Sequence, residues 1–91
     1  MTRQAQMRVT IKNKWGLHAR ASFRLASMAM NFNARITLEK NEQAADAKKM
    51  DELLLLTAGP GDEIIIKAQG PDEDLAVERL AELVNSGFCE D

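Results

Sequence analysis

The sequence predicts an α+β fold of two layers, in which three helices cover one face of a sheet of about four strands. Segments that alternate apolar and polar residues indicate strands, and segments that repeat apolar residues at helical spacing indicate helices. The predicted elements run β-α-β-β-α-β-α, an order typical of a two-layer sandwich, because each helix can bury its apolar stripe against the sheet. The chain has 91 residues without repeats or linkers, so residues 1–91 are expected to form a single domain.

Four segments have the character of strands. Met7–Lys12 and Ala34–Lys40 alternate apolar and polar residues, as half-buried strands do. A tight turn at Asn41-Glu42 then leads into Gln43–Asp46, a short third strand that forms a hairpin with the second. Glu63–Ala68 follows a Gly-Pro-Gly-Asp turn and is apolar on both faces, so we expect it in the centre of the sheet.

Two helices are predicted before the last strand. The first begins at Ala19 and ends before Asn31-Phe32-Asn33, and its buried face is predicted to comprise Ser22, Leu25, Ala26, Ala29 and Phe32. The second is Lys49–Leu56. At least one of its leucines is expected at the surface, since one core cannot accept all of Leu53, Leu54 and Leu56.

The third helix closes the chain. It begins after Gly70-Pro71-Asp72, where proline and the acidic residues of the first turn suit the positive end of the helix dipole. Gly87 suits a left-handed cap after the last turn. The apolar stripe of this helix is predicted to comprise Leu75, Ala76, Val77, Leu80, Leu83 and Val84.

The charges are distributed unevenly along the chain. Residues 1–40 hold eight Lys or Arg and one acidic residue, whereas residues 41–91 hold four Lys or Arg and thirteen acidic residues. Such runs are commonly solvated faces, but the first half also predicts a basic patch that meets an anion or an acidic partner. The net charge of −2, the absence of tyrosine and the lack of an aromatic RNA-binding motif argue against nucleic acid as a partner.

No segment predicts export or membrane insertion. The N-terminal stretch MTRQAQMRV lacks an apolar run, and no apolar segment approaches the roughly 20 residues that span a bilayer. The single cysteine, Cys89, excludes an internal disulfide and fits a reducing compartment. The chain also lacks zinc-ligand spacing. We therefore expect a cytoplasmic protein without a metal, another cofactor or a membrane partner.

The only histidine, His18, stands at the predicted start of the first helix. Ala19–Ser22 present backbone N–H groups that have no helical acceptor, and these groups favour an anion together with the helix dipole. Arg20 and Arg24 lie four residues apart on one helical face, and Arg20 can bond two phosphate oxygens. A neutral imidazole nitrogen can attack phosphorus, so this position suits a phosphoryl carrier. It also suits a helix cap or an ordinary surface histidine.

The run Gly-Leu-His-Ala-Arg at residues 16–20, placed after the first strand, resembles the phosphorylation-site motif of the HPr family. These proteins are the small phosphocarriers of the phosphoenolpyruvate-dependent phosphotransferase system. Length, element order, the glycine turn before the last strand and the closing helix agree over nearly the whole chain. The ending Asn-Ser-Gly-Phe-Cys-Glu-Asp most resembles the nitrogen-related branch, NPr.

The resemblance implies an open-faced βαββαβα sandwich with a four-stranded antiparallel sheet. It also implies that His18 takes a phosphoryl group on Nδ1 from phosphorylated enzyme I and passes it to an acceptor of the enzyme IIA type. Arg20 matches the arginine of the motif that steadies the phosphate. Phosphate binding is accordingly assigned to Ala19, Arg20 and Ala21.

Three positions depart from the pattern of the family. Ala21 stands where proline is usual and restores an N–H donor, so we expect altered transfer rates with function retained. Ser22 stands where alanine is usual; its hydroxyl could meet the phosphate, although small-residue packing in the core is favoured. Lys49 replaces the serine that many HPr proteins offer to a regulatory kinase, so serine-based control is not expected.

Partners of the family dock on the face around the site histidine and the first two helices. Mapped onto this chain, the docking residues are Phe23, Arg24, Ser27, Lys49, Met50 and Leu54. Exposed Phe, Met and Leu ringed by cations would form an apolar patch of the kind that marks a binding site. The alternative is that Phe23 folds over the edge of the core. A monomer is expected.

Three functions stay open at this point. The first is a phosphocarrier, a transfer protein rather than a self-standing enzyme. The second is an HPr-fold regulatory module that acts by protein contact, with phosphorylation of His18 as its switch. The third is an interaction domain of similar layout with an inert histidine. The joint presence of Gly16, His18 and Arg20 favours the first two.

Overall fold

The computed structural model describes residues 3–89, and it confirms the element order βαββαβα. The strands are β1 (Ala5–Thr10), β2 (Arg35–Lys40), β3 (Gln43–Asp46) and β4 (Glu63–Gln69). The helices are α1 (Ala19–Ala29), α2 (Met50–Leu55) and α3 (Glu73–Asn85). The strands form one antiparallel sheet, as predicted, and their order in it is β1-β4-β2-β3.

Strand β4 lies between β1 and β2, which confirms its predicted central place. Ile64 is paired with Val9, and Ile66 is paired with Leu38; all four side chains are buried. Ile65 points to the opposite face and is only half-buried. Since side chains alternate between the two faces of a strand, the helices cover one face of the sheet and leave the other open.

The core fills the space between the covered face and the helices. In α2 and the residue after it, Leu53 and Leu56 are buried whereas Leu54 and Leu55 are exposed, so the expectation of a surface leucine is confirmed. The sheet, the loops and all three helices contribute fully buried side chains, among them Ile11, Leu25, Ile36, Leu38, Leu53, Ile64, Ile66, Leu80, Val84 and Phe88.

Several details differ from the predictions. The first strand begins at Ala5 and ends before Ile11, because Ile11 leaves the strand ladder: its N–H donates to Asp62 O and its carbonyl accepts from Gly61 N–H, both at 2.9 Å. Leu75 was predicted in the stripe of α3 but is 45% exposed. It lies outside the face that buries Ala76, Val77, Leu80, Ala81 and Val84.

The end of α3 is fastened to the core. Gly87 has φ +70°, which confirms the predicted left-handed cap. Its N–H donates to Val84 O at 3.0 Å, and Phe88 N–H donates to Leu83 O at 2.9 Å, the two bonds of a Schellman motif. The Phe88 side chain is fully buried. Among residues 3–89, no helix has both the length and the apolar character to cross a membrane.

Candidate functional site

His18 occupies the N-cap position of α1, as predicted. Its backbone is extended, with φ −74° and ψ −178°, and its side chain makes no capping hydrogen bond to the helix. The His18 carbonyl accepts the Ser22 N–H at 2.9 Å, which is the first hydrogen bond of the helix. The N–H groups of Ala19, Arg20 and Ala21 therefore precede the helical ladder. His18 itself is half-buried.

The chain before His18 is held by a close approach to another segment. Gly16 has φ +64°, and a Cβ on it would lie 2.3 Å from the Ala58 carbonyl oxygen and 2.7 Å from Gly59 Cα. Leu17 donates its N–H to the same Ala58 oxygen at 2.8 Å and buries its side chain in the core. Glycine is required at position 16, because any side chain would displace the backbone that presents His18.

Asn13 closes the loop on its other side. Its buried Nδ2 donates to Gly16 O at 2.8 Å, and Gly16 N–H returns a bond to Asn13 O at 3.3 Å. From the sequence, Asn13 was predicted only to belong to a loop. Asparagine is a common turn residue because its side chain bonds nearby backbone, and this preference was the one local signal for the role that the structure shows.

Ser22 has the core role that the sequence favoured. Its side chain is fully buried, and Oγ donates to Leu17 O at 3.0 Å. The hydroxyl thus fixes the backbone next to His18 and is turned into the protein. Ala21, where the family pattern has proline, is also fully buried.

The turn that supports Gly16 is itself stabilised by Asp62. The Asp62 carboxylate accepts the Gly59 N–H at 2.8 Å and lies 3.2 Å from Lys40 Nζ. The Gly59 hydrogen bond, followed by the bond from Lys40, lowers the pKa of the Asp62 carboxyl below its usual value of 3.8. Protonation of this carboxylate would weaken the turn against which Gly16 packs.

Arg20 is exposed and lines a hollow of about 570 Å³ with His18, Ala19 and Trp15. Arg24, which shares its helical face, is half-buried and donates to Phe88 O. The structure therefore places Arg20 beside the histidine and anchors Arg24 to the end of the chain. Trp15, which the sequence did not mark as a site residue, is 67% exposed and lines the same hollow.

The predicted docking residues lie on two helices that pack against each other, α1 and α2. Phe23 is 61% exposed and Leu54 is 38% exposed, so Phe23 does not cover the core edge. Met50, expected to be exposed, is half-buried and packs against the core. Of the other three members, Ser27 and Lys49 are exposed and Arg24 is half-buried.

Lys49 occupies the N-cap position of α2, and its side chain makes no capping hydrogen bond. Its Nζ lies 3.8 Å from a carboxylate oxygen of Glu52. The cation thus meets an acidic residue of the first turn of its own helix, which offsets its unfavourable place beside the positive end of the dipole. Within residues 3–89, no group of three or more His, Cys, Asp or Glu side chains is arranged to hold a metal ion.

Known proteins resemble this chain in sequence and in architecture. The family model described as the phosphorylation site of the phosphotransferase system HPr component matches residues 5–86. Phosphocarrier protein HPr of Cupriavidus necator is 39% identical over 85 residues, covering 93% of this chain and 96% of that protein. Phosphocarrier protein NPr of Shewanella violacea is 41% identical over 85 residues, covering 93% of each chain.

Solved structures agree with these relatives. The crystal structure of HPr-C-His from Thermoanaerobacter tengcongensis has a TM-score of 0.92 and 32% identity, covering 96% of this chain and 98% of its own. The crystal structure of a phosphocarrier protein HPr from Bacillus anthracis has a TM-score of 0.86 and 34% identity, and the match covers 89% of this chain and 96% of that one. The chain belongs to the HPr family and is a phosphocarrier of the phosphotransferase system.

Proposed function

We propose that His18 is the residue that carries the phosphoryl group, taken from phosphorylated enzyme I and passed to an acceptor of the enzyme IIA type. The observation that carries this proposal is the place of His18 at the N-cap of α1, next to the N–H groups of Ala19, Arg20 and Ala21. The same residues fall within the stretch matched by the family model of the phosphorylation site.

The step is an exchange of bonds at phosphorus. Nδ1 of His18 attacks with its lone pair, and the proton of the neutral imidazole stays on the other ring nitrogen. The bond between phosphorus and enzyme I breaks as the bond to Nδ1 forms. In the transfer to the acceptor, a nucleophile of the acceptor attacks the phosphorus. The bond to Nδ1 then breaks, and His18 leaves as the neutral imidazole.

The surroundings of His18 stabilise the transferred group. Backbone N–H groups at a helix start favour an anion, and each such contact contributes about 0.3–1 kcal/mol at a surface. Arg20 adds a permanent cation at the same hollow. Because the hollow is open, water and partner proteins reach the phosphorylated ring, which suits a carrier that must release its group.

The docking face is proposed to use the exposed apolar side chains of α1 and α2. Phe23 and Leu54 project from two packed helices, and the exposed cation Lys49 lies on the same α2 segment. Apolar anchors within a charged rim are typical of protein interfaces. We propose a monomeric, cytoplasmic carrier domain that uses this face for both donor and acceptor, in the nitrogen-related branch that its C-terminal sequence resembles.

The test is intact-mass spectrometry after incubation with phosphoenolpyruvate and purified enzyme I, at mildly alkaline pH, where a phosphorus–nitrogen bond survives. One acid-labile phosphoryl adduct is expected, absent from His18→Ala. Enzyme I of the sugar branch and of the nitrogen branch are compared, since only the preferred donor gives rapid labelling. If neither enzyme I labels the protein, or if His18→Ala is labelled equally, the assignment of His18 is wrong.

A further inference from the structure

A second concave site lies beside the hollow of His18. It is an open cavity of about 800 Å³ between the loop after β1, the first turns of α1 and the end of α3. Four cationic residues line it: Lys12, Lys14, Arg20 and Arg24. None of the described residues that line it is acidic. A concave surface lined by one sign of charge concentrates oppositely charged solutes.

These four cations differ from most other Lys and Arg residues of the chain in their lack of ion pairs among residues 3–89. Within residues 3–89, six Lys or Arg form ion pairs with acidic side chains: Arg3, Arg8, Lys40, Lys49, Lys67 and Arg79. The four cations of the cavity form none in that part of the chain. Among residues 3–89, no carboxylate therefore relieves their mutual repulsion, which an incoming anion would reduce.

The walls of the cavity are held in place. Arg24 donates to Phe88 O, which fixes its guanidinium, and Phe88 is fully buried. A Cβ on Gly87 would lie 3.7 Å from Asn13 Cβ, so the end of α3 abuts the loop that bears the two lysines. Lys14 lies over the Trp15 ring, 5.1 Å from its centroid. The loop after β1, the start of α1 and the distant end of α3 thus converge on one positive site.

We propose that this cavity binds a small organic phosphate with at least two negative charges, and that its occupancy slows phosphorylation of His18. The volume lies in the range of about 300–1,000 Å³ that is usual for small-molecule sites. The planar guanidinium of arginine can donate two parallel hydrogen bonds to the oxygens of one phosphate. The flexible lysine side chains can reach a second charged group of the same ligand.

Arg20 couples the two sites. It lines both the hollow of His18 and the cationic cavity. An anion that engages its guanidinium from the cavity side withdraws it from the phosphoryl group on His18. At equilibrium such a coupling is reciprocal: an anion that disfavours the phosphorylated state of His18 is itself bound more weakly by the phosphorylated protein. This coupling rests on the proposed role of His18, whereas binding in the cavity does not.

Binding is tested with pyrophosphate as the probe, by amide NMR titration of the free protein at constant ionic strength. We expect shifts at residues 12–15 and 85–89, and an affinity about tenfold lower in Lys12→Gln/Lys14→Gln, as loss of charge-assisted bonds predicts. Arg35→Gln, which removes an exposed cation of β2 outside the cavity, is the control and should bind normally. Shifts confined to residues 18–21, with unchanged affinity in the lysine double variant, would overturn the proposal.

The coupling is tested by the rate of phosphorylation by enzyme I with and without pyrophosphate. The anion should slow the wild-type protein and Arg35→Gln, but not Lys12→Gln/Lys14→Gln. Equal slowing of all three would place the effect at His18 or on enzyme I and refute the coupling. If no phosphohistidine forms even without pyrophosphate, the proposed role of His18 fails, and the titration still decides whether the cavity binds the anion.

Discussion

Gly16 packs directly on the backbone of Ala58, so closely that a Cβ would lie 2.3 Å from the Ala58 oxygen. The neighbouring Leu17 N–H donates to that same oxygen at 2.8 Å. The segment that leads into His18 is therefore positioned by Ala58, which lies forty residues after His18 in the sequence. The stability of the fold and the placement of the site depend on the same contact.

Gly16→Ala is expected to destabilise the protein by about 2–4 kcal/mol, since it combines a left-handed backbone with a clash against immobile backbone atoms. Urea unfolding measures the loss. Gly61→Ala is the matched control, because Gly61 also has positive φ, +86°, but no heavy atom lies within 4 Å of its added Cβ. Gly61→Ala should lower the free energy of unfolding by about 1 kcal/mol. Equal losses in both variants would show that the contact with Ala58 contributes nothing.

Ser22→Ala is expected to lower the free energy of unfolding by about 1 kcal/mol, because the buried bond to Leu17 O is lost. The rate at which enzyme I phosphorylates the protein should stay within about twofold of the wild type, since a loss that small leaves the fold intact. Chemical denaturation and a phosphorylation time course measure the two quantities. A large loss of rate with unchanged stability would mean that the hydroxyl serves the phosphate.

Ala21→Pro restores the residue that the family usually carries. Proline removes one of the three N–H groups before the helical ladder but presets the backbone of the first turn. Because one such donor contributes about 0.3–1 kcal/mol, the phosphorylation rate should change by less than about fivefold, and His18 should remain the labelled residue. Rapid-quench kinetics with peptide mapping tests both points. If only the proline variant were labelled, the native chain would not be a carrier.

Phe23 and Phe88 offer a matched pair, one exposed and one fully buried. Phe23→Ala should raise the KM for enzyme I several-fold and change the free energy of unfolding by less than about 0.5 kcal/mol. Phe88→Ala should destabilise the fold by about 3–5 kcal/mol through the cavity that it leaves. Thermal unfolding and steady-state kinetics are measured on both. A normal KM in Phe23→Ala would remove Phe23 from the docking face.

The lowered pKa of the Asp62 carboxyl predicts a loss of stability in acid. A depressed folded-state pKa stabilises the native protein at pH values above the usual pKa of 3.8, and that contribution disappears as the pH falls through the folded value. Asp62→Asn should therefore have a lower Tm than the wild type at pH 7, and the difference should shrink below pH 3.8. Tm is followed by circular dichroism between neutral and acidic pH. A constant difference would assign the effect to packing instead of charge.

Local patterns in the sequence were sufficient to predict the order of the elements, because alternation, helical spacing and turn residues act over a few positions. They also placed His18 at the start of α1 and β4 at the centre of the sheet. Leu75 was misassigned since a stripe drawn from residue type alone does not define the centre of the buried face.

Contacts between distant segments were beyond local patterns. The hydrogen bond from Arg24 to Phe88 O joins α1 to the segment after α3. No residue close to either one in the sequence predicts this bond. The cationic cavity arises in the same way, because Asn13 and Gly87, which both line it, come together only in the folded protein. The uneven distribution of charge was visible in the sequence, but the place where the charge accumulates was not.

The central place of β4 has a consequence for synthesis on the ribosome. Within residues 3–89, strand β1 pairs with β4 alone, from Ala5 opposite Ala68 to Thr10 opposite Glu63, so it cannot join the sheet until β4 has been synthesised. The hairpin of β2 and β3 can form earlier, since its pairing is local. Such long-range closure slows folding. The nascent chain therefore exposes Val9 and Ile11 until β4 has emerged, and His18 gains its final surroundings only after Ala58 has left the exit tunnel.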